Sequence, residues 1–229
     1  MFRFEKSKTA PSAFRTWVRE NQPTSERAWN ELDGDAKTAL RTRLHIDQRE
    51  LCCYCYTRIA DDHTSHIEHI EPQSRDNRFD WQNLALACEG GNLSGHAPHC
   101  DHAKGHQPLR EVHPYTAPVN RLVHLGSKGQ LKMRTDIEIG EEVWRHDIED
   151  VLALNASHLQ RLRRAAWQAA TADLSPGKRR RADWRAADLD RILEELRARE
   201  QLMDYQPLIE DWLAHRLRRE RTSAAGAGS

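Results

Sequence analysis

The stretch Ser65-His-Ile-Glu-His-Ile-Glu-Pro72 sets an acid beside a base, and Leu51-Cys-Cys-Tyr-Cys55 holds two cysteines at a metal-gripping spacing. Glu68 is a hard oxygen ligand suited to Mg2+ or Mn2+, and a neutral His69 is a competent general base near pH 7. Cys52 and Cys55 form a Cys-x-x-Cys pair, and Cys88 and Cys100 supply two more thiolates for a tetrahedral, all-cysteine zinc site. In the alternative set His99 replaces one cysteine; Cys53 is left over. Asp101 follows Cys100 and precedes Lys104 by three residues, so on a first helical turn carboxylate and ammonium share a face. Lys104, with Arg75 and Arg78 in the loop after Pro72, is expected to meet nucleic-acid phosphates. His66 shares a strand face with Glu68 and is expected to support it from a second sphere rather than ligate the ion. Glu68 and His69 point to opposite faces of an ideal strand, so they converge only if the strand bends there.

The elements that must position these groups follow from hydrophobic spacing. From Pro11 to Glu50 the pattern is helical, with Phe14, Trp17 and Val18, then Trp29, Leu32, Leu40 and Leu44. Residues 51–115 carry short apolar runs punctuated by Gly90, Gly91, Gly95 and Pro98, the mark of small strands and loops. Glycines and alternating Leu131, Met133 and Ile137 between 120 and 141 predict a further hairpin. The helical period returns after Asn155, with Asn155 or Ser157 as the expected cap. It breaks at Ser175-Pro-Gly177 and resumes after the basic run Lys178-Arg-Arg-Arg181. It continues through Leu189, Ile192, Leu193 and Leu196, is interrupted near Pro207, and ends in an expected disordered tail over 222–229. This gives a helical lead-in (1–50), a zinc-stabilised core (51–115), a mostly helical C-terminal region (116–221) and the tail.

Composition narrows the class. Thirty-five Lys and Arg balance thirty-five Asp and Glu, so a nucleic-acid surface has to be a local patch. No apolar run suits a membrane helix and none at the start suits a secretory signal, so a cytoplasmic protein without membrane contact is expected. Five cysteines in such a chain favour metal over disulfides, and they lie between Cys52 and His113 with eight of the thirteen histidines.

In the order HIEHIEP, DWQNLALAC, CDHAKG, the sequence resembles an HNH endonuclease. The lead-in running into DQRELCCYCYTRI and the later VLALNASHLQRLRRAAW resemble the HNH subunit of Septu anti-phage defence systems, a family also found beside retrons. The resemblance covers roughly residues 1–175. It implies an α+β fold with a ββα-metal nuclease core, flanked by N- and C-terminal helices. It implies that Glu68 binds the catalytic metal, that His69 deprotonates water, and that Asn83 holds the loop carrying His69. The third ligand falls at Asp101, with His102 as competitor. It also implies work beside an ATPase subunit of the ABC or SMC-like class, with a reverse transcriptase and its RNA as a further candidate partner. The C-terminal helices are either packing on the nuclease body or a docking surface for that partner.

The expected activity is metal-dependent hydrolysis of phosphodiester bonds, DNA before RNA, with Mg2+ or Mn2+ at the catalytic site and Zn2+ as a structural ion. The alternative is a zinc-stabilised nucleic-acid-binding or adaptor module without catalysis. A hydrolase of a small phosphorylated substrate is disfavoured because no glycine-rich phosphate loop is present.

Overall fold

The computed structural model describes residues 2–25, 28–60, 65–91, 95–174 and 184–226. The lead-in forms three helices rather than one run: α1 (Ser12–Asn21), α2 (Ala28–Glu31) and α3 (Gly34–Asp47). Asp33 caps α3 by accepting from the Ala36 amide at 2.6 Å, which satisfies a free first-turn donor. Ala36, Leu40 and Leu44, four residues apart, form the buried stripe of α3. That stripe packs towards strand β2, so α3 is laid directly on the core that follows it.

The core is a two-stranded antiparallel ribbon of β1 (His66–His69) and β2 (Leu84–Ala87), with Glu68 opposite Ala85 and His69 opposite Leu84. Leu84 to Ala87 are all buried, which explains their unbroken apolar run. Before β1, the Cys52–Cys55 turn is tied to the ribbon through the Cys53 amide and the Leu86 carbonyl. Gln48 at the end of α3 repeats the tie: its Oε1 accepts from the Leu86 amide and its Nε2 donates to the Leu86 carbonyl. After β2 the chain reaches the short helix α4 (Cys100–Lys104), completing a strand, strand, helix order.

Lys6 anchors the N-terminal segment beneath this core. Its ammonium donates to the carbonyls of Trp81 and Leu84 and lies 4.4 Å and 4.5 Å from the ring centroids of Trp81 and Tyr115. Trp81 in turn donates to the Ser7 carbonyl at 2.7 Å, so it is a buried anchor of the fold.

The remaining chain wraps the core. Helix α5 (Val119–Leu122) leads into the hairpin of β3 (Val123–Leu125) and β4 (Leu131–Met133), followed by α6 (Glu141–Arg145), which runs into a π-helical turn over His146–Val151. Then come α7 (Ser157–Ala170), α8 (Ala186–Arg197) and α9 (Gln206–Gly226). Neither candidate for the cap of α7 fills that role. Asn155 does not cap α7, because its amide is spent on the hairpin, accepting from the Leu131 amide and donating to the Leu131 carbonyl; Ser157 lies inside the helix, with Ala156 at the cap position.

Pro207 sits in the first turn of α9, where a missing amide hydrogen costs nothing; the break is over residues 198–205 instead. Helix α9 runs to Gly226, so part of the expected disordered tail is helical, in keeping with the helix propensity of Ala224 and Ala225. The basic run 178–181 and the last residues of the tail lie outside the described residues. Helices α8 and α9 pack on each other through Leu189, Ile192, Leu193 and Leu196 against Leu213 and its neighbours, and Trp212 meets Trp167 and Trp184 edge-on. Much of the apolar surface of this region is thereby used within the chain.

Candidate active site

Four cysteines from three places converge. Cys52 Sγ lies 3.8 Å from Cys100 Sγ, Cys55 Sγ lies 3.8 Å from Cys88 Sγ, and all four sulphurs lie within 4.8 Å of one another. A tetrahedron with ~2.3 Å zinc–sulphur bonds has edges of ~3.8 Å, so the set fits one zinc ion. Cys53 is buried beside Cys52 but is not one of the four clustered sulphurs. His99 does not replace a cysteine: its Nε2 is 3.6 Å from Cys88 Sγ and its Nδ1 is 3.3 Å from His158 Nε2, an outer contact of the cluster. Cys100 is held at φ 54, a left-handed conformation that costs a non-glycine residue about 1 kcal/mol, with its amide bonded to the Leu152 carbonyl.

Arg163 supplies an independent test of the fit. Its side chain is fully buried, Nε donates to the Gly129 carbonyl and Nη2 to the Leu154 carbonyl, both at 2.7 Å, while Nη1 has no partner. No carboxylate among the described residues pairs with it. Burial drives its pKa down to about 10, with Tyr205, Cys55 and Cys100 opposing that fall. A zinc ion on four thiolates would carry a net charge of about −2 and would balance a buried guanidinium there.

The second centre sits on β1 and α4. Glu68 is buried, and its Oε1 accepts from Tyr54 Oη at 2.8 Å and pairs with Lys104 Nζ at 2.9 Å. Asp101, on the first turn of α4, lines the same hollow as Glu68 and lies 3.2 Å from His66 Nδ1. Burial first, then the neighbouring Asp101, raises Glu68 well above the usual carboxylate range. Burial also pushes on Asp101, but hydrogen bonds from His66 and Glu68 outweigh it and hold Asp101 low. The same pairing raises His66. Glu68 and Asp101 offer the oxygen donors that Mg2+ or Mn2+ prefers.

His69 is set beside this pair. Its Nε2 lies 2.9 Å from the Arg78 carbonyl, which can only accept, so Nε2 carries the hydrogen and Nδ1 keeps the lone pair. Gln73 Nε2 donates to that lone pair at 3.0 Å. The Trp29 ring meets the imidazole edge-on at 4.5 Å between centroids. Burial, more than any neighbouring charge, lowers the His69 pKa and keeps the ring neutral. A hollow of about 210 Å³ is lined by Glu68, His69, Gln73, Asp101 and His106, so the acid and the base reach one space despite their adjacent positions on a strand. Asn83 closes the loop behind them: Oδ1 accepts from the Glu71 amide at 2.7 Å, and Nδ2 donates to the carbonyls of Glu71 and Asn77.

Three expected placements differ. Lys104 is 1% exposed, because its ammonium is drawn inward to Glu68 and to the His69 carbonyl at 3.0 Å; it meets no solvent-borne phosphate. Arg78 is buried too, with Nη1 donating to the Ser25 carbonyl, so it ties the lead-in to the His69 loop. His102 is exposed, and its Cβ packs by Gly90, whereas Asp101 on the same helix sits with Glu68. Arg75 remains on the surface. Tyr54, Gln73, Trp29 and Arg163 take part in these centres and went unnamed as site residues on spacing alone. For Tyr54 a signal was present, since it lies inside the Cys-x-x-Cys turn.

Residues 52–97 match the family model described as HNH endonuclease. This is an HNH domain. The matched stretch holds Glu68, His69, Asn83 and three of the four clustered cysteines, with Cys100 and Asp101 just beyond it. The chain is also 31% identical over 132 residues, 54% of its length, to a protein of Vibrio cholerae serotype O1 biovar El Tor described as the candidate HNH endonuclease of retron Vc95. The chain spans 61% of that relative's length. No helix among the described residues is long and apolar enough to cross a membrane.

Proposed function

We propose that the HNH domain makes this protein a divalent-metal-dependent endonuclease that hydrolyses phosphodiester bonds of nucleic acid, DNA before RNA, as the effector of an anti-phage defence complex. The observation that carries the reading is a neutral His69, whose Nδ1 lone pair accepts from the Gln73 side-chain amide, lining the same hollow as the carboxylates Glu68 and Asp101. When bound there, Mg2+ or Mn2+ would supply charge stabilisation for the scissile phosphate and the departing oxygen. His69 Nδ1 takes the proton of the attacking water, and the Arg78 carbonyl, by accepting from Nε2, both fixes the tautomer and stabilises the ring once protonated. Gln73 sits where that water would stand and yields to it. Trp29 and Asn83 hold the ring and its loop in place, while Lys104 and Tyr54 orient Glu68. His66 orients Asp101. His102 is not assigned a ligand role.

The defence role, the Septu-like assignment, the ATPase subunit and a reverse transcriptase with its RNA rest on the sequence resemblance and, for the retron link, on the relative's description. A catalytically silent zinc module explains the cysteines equally well but leaves a buried acid pair facing a positioned base without purpose. The test is incubation of the purified protein, with and without an ATPase encoded beside it, with plasmid DNA and total RNA in Mg2+, Mn2+ or chelator. Metal-dependent breaks in DNA are expected. Intact DNA and RNA under every combination would favour the adaptor reading.

A further inference from the structure

Asp101 has a second side. Beyond it lies another hollow, of about 300 Å³, lined by Trp29, Lys37, Arg41, His66 and Asp101, so the two hollows meet at Asp101 and Ile67. Lys37 and Arg41 are one turn apart on α3, each one residue past the buried positions Ala36 and Leu40. They therefore stand at the edge of the packed stripe and project along the surface next to the candidate metal pair. Among the described residues neither takes part in an ion pair, although most arginines of α8 and α9 that line no hollow do so with a carboxylate one turn away or on the facing helix. Arg41 Nε is buried and has no hydrogen-bond partner. A half-buried guanidinium with an unused donor, beside a lysine and with no acid on it, is a site for an anion with several acceptor oxygens.

We propose that Lys37 and Arg41 grip a backbone phosphate of the nucleic-acid strand next to the one being hydrolysed, making α3 a wall of the substrate channel. This rests on the endonuclease reading, and it gives the helical lead-in a direct part in binding. The geometry orders the strand: one phosphate at Glu68, Asp101 and His69, its neighbour at Lys37 and Arg41, with Trp29 lining the second hollow and meeting His69 edge-on. It also relocates the phosphate-binding cations, since Lys104 and Arg78 are spent inside the fold.

The experiment is steady-state cleavage of a labelled DNA over a salt series by the full chain with Mg2+ or Mn2+. It compares wild type, Lys37→Ala/Arg41→Ala, the shape-preserving Arg41→Gln, and Arg191→Ala as a control on α8. The double variant is expected to raise KM at least tenfold at low salt with kcat within about threefold, and to make the dependence of log KM on log salt shallower by about 0.9, as for one lost phosphate contact on duplex DNA. Arg41→Gln should fall between, Arg191→Ala should match wild type, and melting curves should superimpose. Unchanged KM and salt slope in the double variant, with wild type cleaving, would overturn the clamp and leave the nuclease reading standing. A loss confined to kcat would overturn it as well, by making Arg41 part of the reacting centre. Absence of cleavage by wild type would overturn both.

Discussion

His69→Ala should lower the metal-dependent cleavage rate by roughly 10²- to 10⁴-fold, the range expected when a positioned general base is removed. The loss should fall on kcat, because the imidazole acts on water and not on the bound strand. Folding should survive: the side chain is buried, but its polar partners are the Arg78 carbonyl and Gln73, and Gln73 can turn to solvent. Single-turnover rates, zinc content and a melting curve check the three parts together. His66→Ala is the informative neighbour. It removes the hydrogen bond to Asp101 and leaves His69 and its carbonyl in place, so a decline of about 10- to 100-fold, relieved by higher Mg2+ or Mn2+, is expected for an outer partner of a ligand. A His66→Ala enzyme as inactive as His69→Ala at saturating metal would mean that the roles of the two histidines are assigned the wrong way round.

Removing the zinc ligands should have the largest effect on stability. The sulphur cluster joins the Cys52–Cys55 turn, the end of β2 and the start of α4. Cys88→Ser is expected to release zinc and to cost at least about 4 kcal/mol, since metal binding in such sites is folding energy. For a chain of this length that corresponds to a fall in melting temperature of roughly 8 to 16 °C, provided unfolding remains cooperative. Cys53→Ala, one residue from a ligand, should keep one zinc per chain and lose about 1 kcal/mol, the typical cost of a buried substitution outside the cluster. Zinc release measured with a thiol reagent and a colour indicator, alongside thermal melts, separates the two. Equal zinc loss in both variants would contradict the assignment of Cys53 as a bystander.

What could be read from the chain ahead of its fold was the chemistry carried by residues close in sequence. Cys-x-x-Cys, the Glu68-His69 pair and the Cys100-Asp101 start of α4 each declare a ligand type at a spacing that one turn or strand enforces, and the structure brings these groups to two adjacent centres. The fate of a cation was not legible in this way. Lys104 and Arg78 look like phosphate contacts until the fold provides Glu68 and the Ser25 carbonyl as inward partners, whereas Lys37 and Arg41 look like ordinary helix-surface charge until α3 is laid beside Asp101. Asn155 shows the same limit on a smaller scale: a good capping residue has its side chain bonded to the β3–β4 hairpin instead. Arg163 is the extreme case. Its buried position beside the gathered sulphurs is not written in any local spacing.

The central claim is that Glu68 and Asp101 together hold one divalent ion beside His69, separate from the zinc. Titration of Mn2+ into the zinc-loaded protein, followed by electron paramagnetic resonance, tests it without reference to any substrate. One Mn2+ bound per chain by wild type, greatly weakened in Glu68→Gln and in Asp101→Ala but retained in His69→Ala, is the predicted result. Mn2+ bound equally by all four proteins, or by none of them, would contradict it.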